Sequence, residues 1–185
     1  MTRTVLSCIA ACLVLAGCND PSGSAQQPSL QELATGTLEK LEVYAAPQPL
    51  PDVMITVGDE EAPTKLANAV QGPALINLWA TWCAPCVKEL PSLAALSADT
   101  GLPIYAVAIE RGKASKLTAF LEKHEAGSLK LLRDPDQALP VALEARGVPI
   151  TMAVNADGDV IAKLEGEAEW TQAEARQLAS LLTSR

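Results

Sequence analysis

The sequence predicts an α/β fold, a central mixed sheet flanked by helices. Three observations carry this. Short apolar runs alternate with stretches of helical periodicity from about residue 50 onward. The strongest run, Ala74-Leu75-Ile76-Asn77-Leu78-Trp79-Ala80, leads straight into a helix opened by Pro85, where a missing N–H is tolerated. Near the C-terminus, Ala156-Asp157-Gly158-Asp159 separates two apolar runs, a hairpin signal that adds antiparallel pairing. One domain accounts for a chain of 185 residues, and no internal repeat is visible.

The elements follow in order. Leu30, Leu33, Leu38 and Leu41 predict a short helix, interrupted at Gly36. The prolines at 47, 49 and 51 read as an extended lead into the main domain. A strand is expected over 50–57, with Gly58-Asp59 as its turn, then a weak helical turn over 63–70. The central strand spans 74–80, and the helix from Pro85 runs to about Thr100, where Gly101 ends it. A buried strand over 103–110 precedes an amphipathic helix over 113–125, with Leu117, Phe120 and Leu121 on one face. A short strand over 129–132 follows. Asp134-Pro135 opens a helix to Arg146, ended by Gly147. Strands over 151–155 and 160–164 flank the Asp-Gly turn. A final helix over 170–182 turns Ala175, Leu178, Leu181 and Leu182 inward.

The N-terminus reads as an address. Arg3 precedes an apolar run over 5–16, too short for an ordinary membrane helix. The run ends in Leu15-Ala16-Gly17-Cys18, which resembles a bacterial lipobox and makes Cys18 the expected lipidation site. A soluble secretory signal and an uncleaved anchor are the other readings, the second disfavoured by length. The expected division is a lipoprotein signal peptide over 1–17, a tether and N-terminal extension over 18–46, and the main domain over 47–185. More than one acyl chain on Cys18 gives stable anchoring. Residues 19–31, rich in Ser, Gln, Pro and Gly, read as flexible. The net charge of −8 argues against nucleic-acid binding.

Cysteine usage narrows the chemistry. Of five cysteines, Cys8 and Cys12 leave with the signal and Cys18 takes lipid. Cys83 and Cys86 remain, in Trp82-Cys83-Ala84-Pro85-Cys86. Cys83 is placed at a helix N-terminus, where the dipole and free N–H groups favour a thiolate. Cys86 lies three residues on, close enough to pair with it. A strand, a Cys-x-x-Cys and a helix in a small α/β chain spell a dithiol/disulfide redox site, the redox-active disulfide standing in place of any cofactor. A structural zinc site needs four ligands, and beyond Cys18 the chain offers these two cysteines and His124. A structural staple is unneeded where roughly 140 residues bury a core unaided.

Asn77-Leu78-Trp79-Ala80-Thr81-Trp82-Cys83-Ala84-Pro85-Cys86 and Gly147-Val148-Pro149 resemble the thioredoxin superfamily, and more narrowly its membrane-tethered TlpA/ResA-like thiol–disulfide oxidoreductases. The resemblance covers roughly 47–185. It implies a thioredoxin-like fold, with 113–132 as an extra αβ insertion. It implies an exposed, attacking Cys83, a resolving Cys86, and a cis peptide at Val148–Pro149 whose backbone binds an extended substrate beside Trp82. On spacing alone, Glu89 is either a solvated helix carboxylate beside Lys88 or a base one turn past Cys86. The resemblance favours the base. Asn77 replaces the buried Asp usual in cytosolic thioredoxin and cannot titrate. Pro91 sits where thioredoxins carry a helix proline. Trp79 and Met152 read as packing, and His124 as a solvated helix-end residue.

The function implied is an enzyme, a tethered disulfide reductase at the periplasmic face of a bacterial membrane. Its implied clients are apocytochrome c or copper-site assembly factors, and its implied electron donor is a CcdA/DsbD-like membrane protein. Ala84 and Pro85 place no charge between the thiols, which favours a reducing couple. The alternative is a copper chaperone holding metal through the Cys pair. Copper carriers of this fold use a wider Cys spacing and a distal His, and His124 lies on the wrong kind of element. A peroxidase would need its cysteine in another setting.

Overall fold

The structure is a computed structural model and describes residues 29–58 and 62–184. The signal-like segment, Cys18 and Asp59 lie outside the described residues. Among the described residues, eight strands form one mixed sheet in the order β1-β8-β7-β4-β5-β6-β2-β3. In chain order they are β1 (Leu41–Pro49), β2 (Met54–Val57), β3 (Thr64–Lys65), β4 (Ala74–Trp79), β5 (Ile104–Ala108), β6 (Lys130–Arg133), β7 (Ile150–Val154) and β8 (Asp159–Glu165). The helices are α1 (Leu66–Ala69), α2 (Ala84–Thr100), α3 (Ala114–Lys123), α4 (Ala138–Ala142) and α5 (Ala173–Thr183).

β4 is central, parallel to β5 and antiparallel to β7. All six of its residues are buried, so its sequence is a continuous apolar run broken only by Asn77. β8 lies next to the edge and alternates half-buried with buried residues. Asn77 and Trp79 share one face of β4. There Asn77 meets α2 through Glu89, and the Trp79 ring lies 5.7 Å from Phe120 of α3. α5 packs on α2. On the opposite face Met152 shares a surface cavity with Ala142 and Leu143 of the α4 region. Helices therefore cover both faces. No helix among the described residues is long and apolar enough to cross a membrane.

Several expected boundaries move. In place of a helix over 30–44 there are two 3₁₀ turns, Leu30–Leu33 and Gly36–Leu38, and then β1. Gly36 takes φ +54°, which ends any continuous helix. Leu33 and Leu38 are fully packed against the core, and β1 pairs with β8 at the sheet edge, where its prolines are tolerated. The boundary expected between 46 and 47 thus falls inside a strand, and the described fold takes in residues from 29. The strand expected over 50–57 is confined to Met54–Val57, and 63–70 divides into β3 and a single turn, α1.

The helix expected over 134–146 shrinks to α4, because Gln137 and Glu144 take φ +57° and +50° at its two ends. Asp134 is 1 % exposed and accepts the N–H groups of Ala138 and Leu139 at 3.0 and 2.8 Å, so it does cap this turn. α5 begins at Ala173 and leaves Trp170 free of the helix. The β7–β8 hairpin forms as expected, with Gly158 at φ +87° and the Asn155 side chain accepting the N–H of Asp157 and of Asp159.

Candidate active site

α2 begins at the end of β4, and its N-cap is Cys83. The Cys83 sulfur accepts the N–H of Cys86 at 3.3 Å, one of the free donors of a helix start. Pro85 in the first turn needs no acceptor. Cys83 and Cys86 are joined as a disulfide, with Cα atoms 5.3 Å apart. The helix runs through Pro91 to Thr100 and is closed by Gly101 at φ +72°. The loop before the cysteines is held by a residue the sequence did not single out. Glu110, just past β5, accepts the Thr81 N–H at 2.6 Å and its hydroxyl at 3.0 Å.

Cys83 is 5 % exposed and Cys86 is fully buried. The expectation of an exposed Cys83 is corrected: the residue is nearly buried, with the Val148 carbonyl against its sulfur. The Cys83 sulfur lies 3.5 Å from the Val148 carbonyl oxygen, a contact that becomes a hydrogen bond when the sulfur carries a proton. Val148–Pro149 is cis. Trp82 is 64 % exposed and shares with Val148 a groove of about 370 Å³, walled further by Ile109, Pro140 and Arg146. The sequence-derived substrate-side residues Trp82, Val148 and Pro149 are therefore gathered around Cys83.

Glu89 is not a solvated helix carboxylate. It is 2 % exposed. Its Oε1 accepts from Asn77 Nδ2 at 2.7 Å; its Oε2 accepts the Ala168 N–H at 3.0 Å and the Trp170 indole N–H at 3.2 Å. Burial pushes its carboxyl up to about 7, against the lowering pull of those hydrogen bonds, and the charge of Glu167 adds to the rise. Asn77 also donates to Thr151 Oγ1 at 3.0 Å, its direct cross-strand neighbour. Both amide hydrogens are thus used, while Asn77 Oδ1 is buried without a partner among the described residues. Ser92 ties the arrangement together, donating to the Glu89 carbonyl at 2.8 Å and accepting the Trp170 N–H at 3.2 Å.

Trp170, Ala168 and Thr151 were missed from sequence. Trp170 stands in a polar stretch, Glu167-Ala168-Glu169-Trp170, with no spacing relation to the cysteine motif. His124 caps α3 with its ring 4.4 Å from Phe120, an ordinary packing position.

A dithiol pair able to cycle through a disulfide, set against a cis-proline loop, performs thiol–disulfide exchange. The fold and the site define a thiol–disulfide oxidoreductase. Residues 45–182 match the model of the Redoxin family, and the chain belongs to that family. It is 34 % identical over 134 residues to the thiol:disulfide interchange protein DsbE of Pseudomonas fluorescens biotype C, covering 67 % of this chain and 74 % of that one. It is 28 % identical over 94 residues to the thiol-disulfide oxidoreductase ResA of Bacillus subtilis, about half of each chain (49 % and 51 %). Among solved structures, a thio-disulfide isomerase from Thermus thermophilus superposes with a TM-score of 0.57 at 29 % identity, covering 75 % of this chain and 96 % of that one. The TlpA/ResA-like resemblance read from the motifs agrees with these relatives.

Proposed function

We propose that this oxidoreductase is a reductase, tethered by lipid on Cys18 after loss of residues 1–17 and working at the periplasmic face of a bacterial membrane. Its substrates are cysteine disulfides of apocytochrome c or of copper-site assembly factors. Its electrons come from a CcdA/DsbD-like membrane thiol protein. The observation that carries the reading is the Cys83–Cys86 pair with only Ala84 and Pro85 between, on the helix that also carries the buried Glu89. The interchange names of the relatives and the lipobox-like stretch at Cys18 support it.

The cycle follows from the geometry. The Cys83 thiolate attacks a client sulfur, forming a mixed disulfide and expelling the other client sulfur as a thiolate. The client backbone lies along Val148 and cis-Pro149, beside Trp82. Cys86 gives its proton to Glu89 and attacks Cys83, forming the described disulfide and releasing the second client sulfur. Two electrons from the donor restore the dithiol. Glu89 acts as the base for the second step, since Asn77 does not titrate.

Trapping tests the proposal. Protein carrying Cys86→Ser stops at the mixed disulfide. Expressed in cells with the tether intact, it should capture envelope proteins that bear paired cysteines for haem or copper. Capture of clients without such pairs would remove the substrate assignment, and the absence of any mixed disulfide would remove the reductase reading.

A further inference from the structure

Glu89 is 2 % exposed, yet it lines a polar cavity of about 290 Å³. Gly36, Thr37 and Lys40 of the N-terminal segment form one wall, and Leu164 and Ala168 form another. The rim mixes Lys40 and Lys88 with Glu39, Glu167 and Glu169, a polar setting with room for water. This cavity shares no lining residue with the groove at Trp82 and Val148. The two walls are tied together: Thr37 Oγ1 accepts the Glu169 N–H at 2.5 Å, in the same loop that supplies the Ala168 and Trp170 donors to Glu89.

We propose that this cavity is the proton exit of the active site, a second opening to solvent behind α2 whose wall is the N-terminal segment. The proposal rests on Glu89 being the base of the second step. During that step a client is bonded to Cys83 and covers the Trp82 side, while Cys86 is fully buried. The proton leaving the Cys86 sulfur passes to a Glu89 oxygen. The Cys86–Cys83 bond forms as the Cys83–client bond breaks, and the electron pair of the broken bond leaves on the client sulfur. Glu89 then returns to carboxylate by handing the proton to water in the cavity, and from there it reaches bulk. The N-terminal segment thereby joins the tether to the acid–base site.

The test is chemical rescue. Glu89→Ala removes the carboxylate but leaves the Asn77, Ala168 and Trp170 donors around a hole that opens on the cavity. Glu89→Ser, which keeps an acceptor, replaces it where Glu89→Ala does not fold. Stopped-flow mixing of the reduced variant with an oxidised peptide resolves attack by Cys83 from release of the second peptide thiol. The expected result is a release step slowed by about tenfold or more and restored by formate with saturation. A plug locates the route. Thr37→Cys is added and alkylated with a bulky maleimide while Cys83 and Cys86 are protected as the disulfide, and the parent variant treated identically is the control. Plugged protein should lose the formate rescue and unplugged protein should keep it. Slowing without rescue, rescue that rises linearly without saturation, or rescue that survives the plug would each overturn the exit. Failure of the base assignment shows separately, as a variant that is not slowed at all.

Discussion

Asn77 and Glu89 are joined 2.7 Å apart inside the protein, the amide of a central strand donating to the carboxylate of the active-site helix. Both residues are buried. The central strand supplies a donor that does not titrate, and the acid stands on α2. Trp170 and the Ala168 N–H complete the set of donors from across the fold. A buried carboxylate held this way has measurable consequences for catalysis and for stability.

Glu89→Gln should slow release of the second client thiol by at least about tenfold at pH 7, the conservative end of general-base effects. The first attack should be nearly unchanged, since Cys83 sits at the helix tip. Because burial holds the Glu89 carboxyl at about 7, the wild-type release rate should rise as pH passes through that value, and the variant should lose this limb. Stopped-flow profiles from pH 6 to 9 check both. Coincident profiles would return Glu89 to a structural role.

The same group should govern stability against pH. Its carboxyl titrates at about 7 in the fold against an ordinary value of 4.5, so between those values the native state holds more protons than the unfolded chain. Stability is then fullest below the unfolded value and falls as pH rises toward 7, by roughly 3 kcal/mol in all. Denaturant titrations of oxidised protein at pH 4.5, 6 and 7.5 should show this fall. Glu89→Gln should flatten it.

The Cys83/Cys86 couple should be reducing, nearer to about −270 mV than to about −120 mV. Ala84 and Pro85 bring no charge between the two sulfurs that would stabilise the thiolate form. Equilibration against a glutathione or dithiothreitol series measures the potential. Ala84→His should raise it, because a cation beside the thiolate stabilises the reduced form.

Leu38→Ala should destabilise the domain by about 2–5 kcal/mol, the usual cost of truncating a fully buried leucine. Leu38 is 0 % exposed although it precedes β1, within what the sequence assigned to a tether and extension. Urea unfolding reads this directly. A change within measurement error would show that the N-terminal segment does not belong to the cooperative unit.

Cys18→Ser protein should leave the membrane fraction, and wild-type protein should take up an acyl label in cells. Membrane retention of the variant together with an unlabelled wild type would remove the lipid anchor.

The redox pair, its place on a helix start after a buried strand and the hairpin are legible in the order of residues, and the loop at Pro149 through its resemblance to a known family. These are local signals: a cysteine spacing of one turn, a continuous apolar run, a proline and an Asp-Gly turn read within a few residues. The sequence also placed Glu89 one turn past Cys86, but left open whether that carboxylate was solvated. Packing settles it, because burial and donor supply come from distant parts of the chain. Trp170 lies 81 residues from Glu89, Ala168 lies 79, and Thr151 lies 74 from Asn77. The N-terminal segment was decided in the same way. Its leucines suggested a helix and its prolines a linker, yet a free edge on β8 and a gap beside α5 turned it into a strand and a wall, because backbone donors at a sheet edge take whatever segment reaches them. A carboxylate's proton affinity is set by the water it loses and the donors it gains, and neither is written next to it in the chain.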